Sequence, residues 1–271
     1  MRADKLSCTT ATFGGKLPEK LRAMQAAGFV ATEFWPRDLF ENVEGPEIAI
    51  ELLRQAGLAV SAYQALRNFE GLSAQVRGQK LGVAEQLMDQ MALVGCDLLV
   101  LCASTDPESS GERERIAEDL RVLGDLARSR ELRIAYEPIS WARWLRDYRD
   151  AWQVIKAVDH AHVGMMLDSF HIFALGLPLE GIDAIPADKV FLVEIADLPG
   201  TKLDPIEIGR HYRLFPGEGV GPVDEFLRRV RAIGYAGYLS VEIFNTHYAA
   251  SAPGEVAARA MRTTAAALSR S

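Results

Sequence analysis

Four short apolar segments each carry a carboxylate at or near their C-terminal ends: Ala135-Tyr136-Glu137, Met166-Leu167-Asp168, Leu192-Val193-Glu194 and Ser240-Val241-Glu242. If the fold brings those ends together, four acids within a few ångströms repel one another, and without a cation at least one must take up a proton. A divalent ion resolves the conflict. An all-oxygen donor set suits magnesium or manganese, and a barrel site of this kind also takes cobalt or zinc. A single acid in such a segment is as readily explained by an arginine beside it; four at matching positions are not. Glu33, followed by Phe34 and Trp35, is a fifth acid, read as a mouth-lining or paired residue.

Other side chains add to that chemistry. His171 follows Asp168 by three residues, which puts an imidazole just beyond a proposed ligand, where it can exchange protons with a bound molecule. An ordinary loop histidine is the competing reading. Arg210, His211, Tyr212 and Arg213 form a run suited to an anion, although a solvated loop has the same composition. Arg67, four residues past Tyr63, is read as lying in a loop, where its planar fork can grip a carboxylate at two points. His160, His162 and His247 show no metal-ligand spacing. The Pro216-Gly217-Glu218-Gly219-Val220-Gly221 stretch resembles a phosphate loop, but no Lys-Ser/Thr follows it and it carries an acid, so it reads as a flexible bend. A Schiff-base route is disfavoured, because Lys5 and Lys189 fall at strand starts and only Lys202 lies in a suitable loop.

The elements that must hold these groups alternate along the chain. Strands are expected at Leu6 to Thr10, Val30 to Phe34, Ala59 to Tyr63, Leu98 to Cys102, Leu132 to Glu137, Val163 to Asp168, Val190 to Ala196 and Tyr238 to Ile243. Helical periodicity covers Leu17 to Ala27 and about Pro46 to Gln55, Ser73 to Val94, Glu112 to Ser129, Tyr148 to Val158, Leu179 to Ile185, Val223 to Ile233 and Gly254 to Leu268. Gly28, Gly57, Gly95 and Gly234 stand where helices need left-handed C-terminal caps. The strands read as near-continuous apolar runs, as a parallel sheet covered by helices requires. With 271 residues in eight units, each unit averages roughly 34, close to the repeat of a (β/α)8 TIM barrel of about 250 residues. A doubly wound sheet uses the same alternation, but Phe13-Gly14-Gly15 lacks the glycine spacing expected after its first strand. One α/β domain over residues 1–271 is therefore expected, with long loops at Thr105 to Gly111 and Asp197 to Pro222 on the face where barrels build active sites.

Composition narrows the partners. The net charge of −7 disfavours nucleic acid. No apolar run reaches the roughly 18–20 residues of a membrane span, and Met1 to Ser7 carries Arg2, Asp4 and Lys5 with no apolar signal core behind them. Cys8, Cys96 and Cys102 lack CxxC spacing and read as buried reduced thiols. Together these point to a cytoplasmic protein.

The chain resembles the xylose-isomerase-like barrel superfamily and, within it, the bacterial 3-dehydroshikimate dehydratases. The resemblance is strongest from Tyr136 to Tyr248: Tyr136-Glu137 with Trp141, the stretch from Asp147 to Trp152, Leu167-Asp168-Ser169-Phe170-His171, Ile195-Ala196-Asp197, Arg210-His211 with Phe215-Pro216-Gly217, and Leu239 to Asn245. Leu66-Arg67-Asn68-Phe69-Glu70-Gly71 belongs to the same likeness. It implies one divalent metal held by Glu137, Asp168, Glu194 and Glu242, proton transfer by His171, and a carboxylate bound by Arg67 and Arg210. The substrate implied is a small hydroxy-keto acid that loses water after a proton is removed beside its ketone. One position departs: such relatives carry a neutral Gln or His where this chain has Glu194. Some of them continue into a dioxygenase-like second domain, which is not expected after Ser271. Barrels of the superfamily often associate, which leaves a homo-oligomer open. A ketose isomerase or epimerase, or an inosose dehydratase, would use the same metal chemistry. A DNA-repair endonuclease of this superfamily would cluster several zinc ions with many histidines, against which the five scattered histidines and the negative charge argue. A non-catalytic sugar-acid sensor is the remaining alternative.

Overall fold

A computed structural model describes residues 5–271, so Arg2 and Asp4 of the amino-terminal reading lie outside the described residues. Eight parallel strands close on themselves in sequence order: β1 (Leu6–Thr9), β2 (Ala31–Phe34), β3 (Ala59–Arg67), β4 (Leu98–Cys102), β5 (Arg133–Glu137), β6 (Val163–Asp168), β7 (Val190–Ile195) and β8 (Leu239–Val241). β8 pairs with β1 and completes the (β/α)8 barrel. Most strand residues are buried whichever way they point, because one face fills the barrel and the other meets helices.

The main helices are α1 (Leu17–Ala27), α3 (Pro46–Ala56), α4 (Ala74–Val94), α5 (Arg113–Ser129), α6 (Tyr148–Val158), α9 (Val223–Ala232) and α11 (Pro253–Arg270), with α11 packed on α1 across the barrel's closing seam. The stretch expected as a helix from Leu179 is a 3₁₀ helix, Leu179–Ala184, bracketed by Pro178 and Pro186. Four helices of four to seven residues, α2 (Pro36–Phe40), α7 (Ser169–Ala174), α8 (Pro205–His211) and α10 (Thr246–Ala249), follow β2, β6, β7 and β8 on the mouth side. Such lengths carry no readable periodicity, but their starts are signalled: Asp168, Asp204 and Asn245 accept N-terminal amides of α7, α8 and α10 through their side chains. No helix among the described residues is long and apolar enough to cross a membrane.

Two strand ends differ from expectation and matter for the site. β3 runs on to Arg67, which is a strand terminus rather than a loop residue. β8 stops at Val241, leaving Glu242 one residue beyond it.

Candidate active site

Strand register assembles the acids. Asp168 on β6 stands opposite Glu194 on β7, Glu194 opposite Ser240 on β8, and Glu137 on β5 opposite Cys102 on β4. One oxygen from each of Glu137, Asp168, Glu194 and Glu242 lies within 4.8 Å of the others, and all four residues are buried. Burial raises the pKa of every member; for Glu194 the neighbouring Glu242 and Glu33 raise it further. Glu33 lies inside the barrel and is pushed up to about 7 by burial and by Glu242.

The chain secures an oxygen of each acid. Cys102 Sγ donates to Glu137 Oε2 at 3.0 Å, and the Phe170 amide to Asp168 Oδ1 at 2.8 Å. Gln64 Nε2 donates to Glu194 Oε1 at 2.6 Å. Arg213 Nη1 bridges Asp168 Oδ2 and Glu242 Oε2 at 2.9 Å each. One arginine therefore serves two of the four, so the competing reading, in which each acid has its own basic neighbour, does not describe the cluster. Glu194 Oε2, Glu33 Oε1 and Ser240 Oγ are buried with no hydrogen-bond partner among the described residues. An unpaired buried carboxylate oxygen is expensive, and a cation is the partner its chemistry calls for.

His171, at the start of α7, is 2% exposed and packs edge-on against Trp141. Its Nδ1 lies 3.1 Å from the Ser140 amide and 3.0 Å from Ser140 Oγ, while Nε2 lies 3.5 Å from both Glu137 Oε1 and Asp168 Oδ2. A backbone N–H can only donate, so Nδ1 accepts and the neutral ring carries its proton on Nε2. Burial drives the ring's pKa down to about 3, which keeps it neutral.

Above the acids opens a cleft of about 380 Å³, walled by Trp35, Ile139, Trp141 and Phe244 and edged by Arg67 and Arg210. Both arginines are exposed, and neither forms a salt bridge among the described residues. The structure thus brings Glu137, Asp168, Glu194, Glu242, His171, Arg67 and Arg210 to one place. His211 is the exception. It is not among the residues that line the cleft, and its half-buried ring lies edge-on to Tyr212, 6.2 Å between centroids; Arg213, two residues on, reaches the acids instead. The Pro216–Gly221 bend is likewise not an open phosphate cradle. The buried Asp197 carboxylate fills it, accepting from the amides of Leu198, Gly217, Gly219 and Gly221. A Cβ at Gly219 would collide with the Leu198 carbonyl, so glycine is required there by close approach.

Sequence reasoning missed Gln64, Cys102 and the role of Arg213. Gln64 and Cys102 lie on strands and line the cleft floor.

Fold and site together define a (β/α)8 barrel with a buried acidic centre beneath an arginine-edged mouth. The chain matches the xylose isomerase-like TIM barrel family over residues 21–267 and belongs to it. It is 37% identical over 257 residues to 3-dehydroshikimate dehydratase of Pseudomonas putida, covering 95% of this chain and 40% of that protein. A 3-dehydroshikimate dehydratase of Pseudomonas aeruginosa is 38% identical over 90% of this chain and 39% of its own length. The chain thus spans about two fifths of the length of these curated relatives. Among solved structures, a xylose isomerase-like TIM barrel/4-hydroxyphenylpyruvate dioxygenase fusion protein superposes with TM-score 0.92 at 36% identity, over 96% of this chain and 42% of that one. The IOLI protein, solved with a bound zinc atom, superposes with TM-score 0.87 at 22% identity over 98% of each chain, a likeness of fold.

Proposed function

We propose that this protein is a metal-dependent hydro-lyase that converts 3-dehydroshikimate to protocatechuate. The observation that carries the reading is the juxtaposition, in one cleft, of four buried carboxylates and two arginines free of salt bridges. Dehydratase relatives at 37% and 38% identity support the same reaction. The donor set of Glu137, Asp168, Glu194 and Glu242 fits a divalent ion, and the unpartnered Glu194 Oε2 supports that fit. Its oxygen-only chemistry favours manganese or magnesium and tolerates cobalt or zinc. When bound, such an ion stabilises the negative charge that develops on a ketone oxygen as the neighbouring proton leaves.

The chain's own groups do the rest. Arg67 and Arg210 hold the substrate carboxylate and fix the ring over the acids. Glu137 takes the proton from the carbon between the ketone and the departing hydroxyl. The electrons of that C–H bond form a carbon–carbon double bond, and the hydroxyl on the next carbon leaves with its bonding pair. A proton returned to that oxygen makes water, and tautomerisation to an aromatic ring draws the reaction forward. Because the neutral His171 ring carries its proton on Nε2, it serves as hydrogen-bond donor to the departing oxygen, and abstraction, first expected of His171, passes to Glu137. Acid–base help of this kind is worth roughly 10²- to 10⁴-fold, the remainder coming from positioning and charge stabilisation. The buried free thiols of Cys8, Cys96 and Cys102 suit a reducing, cytoplasmic setting.

The second reading is an isomerase or epimerase acting on a neutral cyclitol or ketose, favoured by a relative described as inosose isomerase of Bacillus subtilis, 29% identical over 54% of this chain. A neutral sugar would leave Arg67 and Arg210 without an anion. The discriminating assay offers manganese-loaded protein 3-dehydroshikimate, an inosose and a ketose in parallel. The ultraviolet absorbance of a catechol acid should appear from the first alone. Conversion of a sugar with no reaction of the acid would overturn the proposal.

A further inference from the structure

Gln64 lies between the cleft and two buried acids, and its orientation is fixed from outside. The Trp35 indole N–H, which can only donate, meets Gln64 Oε1 at 2.8 Å. The amide NH₂ must then face the barrel interior, where it donates to Glu33 Oε2 at 2.5 Å and Glu194 Oε1 at 2.6 Å. Both of its hydrogens are used. Glu194 Oε1 is thereby held, and Oε2, buried and without a partner among the described residues, is the oxygen left for an ion.

We infer that Gln64, locked by Trp35, is the positioning residue of the Glu194 ligand and the reason that position 194 carries a carboxylate rather than an amide. The inference rests on the metal site proposed above. A glutamine at 194 would have to turn its carbonyl to the Gln64 NH₂, and its own NH₂ would then point at the metal, where it cannot ligate. A carboxylate has no such conflict, since both oxygens accept. Trp35, Gln64 and Glu194 thus form a directional chain from the cleft wall to the metal centre, each link dictated by donor and acceptor type.

The test is a double-mutant cycle read by manganese affinity, from competition with a chromogenic chelator and from water-proton relaxation, on the full chain. Gln64→Leu should weaken manganese binding roughly 10- to 100-fold, as loss of an outer-shell partner does. Glu194→Gln should weaken it at least as much. In the Gln64→Leu background the second change should cost at least about tenfold less, because the amide at 194 is free to turn its carbonyl to the ion. A residue that merely supports the fold would give no such coupling. Trp35→Phe keeps an aromatic ring in the cleft wall while removing the indole N–H together with part of the ring volume; it unlocks the Gln64 amide and should show the same relief of Glu194→Gln, which keeps the idea testable if Gln64→Leu does not fold. Single variants within twofold of the wild type, or strictly multiplicative losses in both backgrounds, would overturn the inference alone. Failure of the wild type to bind any divalent ion would overturn the metal-site reading, and this inference with it.

Discussion

Glu194 and Asp197 stand three residues apart at the end of the same strand, both fully buried, yet the chain treats them differently. Asp197 receives four backbone amides from its own loop, at 2.8–3.1 Å, so both its oxygens are satisfied. Glu194 receives one side-chain amide and keeps one oxygen bare, among three more buried carboxylates and Glu33. Asp197 is an acid used for construction: it closes the Pro216–Gly221 bend and, through its backbone pairing with Leu214, fixes the segment that carries Arg213. Glu194 belongs to a cluster of carboxylates that could hold a metal ion. Burial by itself therefore does not separate these two acids; their hydrogen-bond shells do.

Four substitutions sharpen or break that contrast. Glu137→Gln should lower dehydration turnover by roughly 10³-fold or more while the melting temperature stays near the wild type, as steady-state kinetics and thermal unfolding will report. Arg213→Met deletes the one buried cation bridging Asp168 and Glu242, so the metal-free protein should lose about 3–5 kcal/mol of stability, with added manganese restoring much of it. Denaturant titration with and without the ion checks this; a loss that the ion does not relieve would mean that Arg213 is simply part of the scaffold. Asp197→Ala strands four backbone donors and should cost about 3 kcal/mol, lowering the melting temperature by roughly 10 °C. An unchanged melt would refute the constructional role given to this acid. Smallest is Arg67→Lys, which keeps the charge but loses the fork: KM for the acid substrate should rise about tenfold with kcat nearly unchanged, by initial-rate kinetics.

The barrel was legible because strands buried on both faces leave continuous apolar runs, and the four acids were legible because they recur near the ends of consecutive strands. Arg67 and Arg210 could be placed near the mouth from their positions shortly after expected strands, and the family resemblance singled them out. His211 could not be separated from its neighbours, since the direction of a side chain on a seven-residue helix depends on how that helix is capped and packed. The same run did contain the decisive cation: Arg213 binds anions as its surroundings suggested, but the anions are Asp168 and Glu242, 45 and 29 residues away. The glycine-rich stretch, read as a flexible bend, has its amides turned onto an anion of the chain itself, Asp197. Gln64 left no signal, because its importance comes from Glu33 and Glu194 on other strands and from Trp35 just past β2, residues brought together only by the closed barrel.

The acidic quartet should support turnover only around a divalent ion. Protein stripped with a chelator, dialysed, and titrated with manganese while catechol-acid absorbance is followed from 3-dehydroshikimate tests it most directly. No detectable turnover is expected at the start, followed by a rise that saturates at one ion per chain. Full activity before any manganese is added would contradict it.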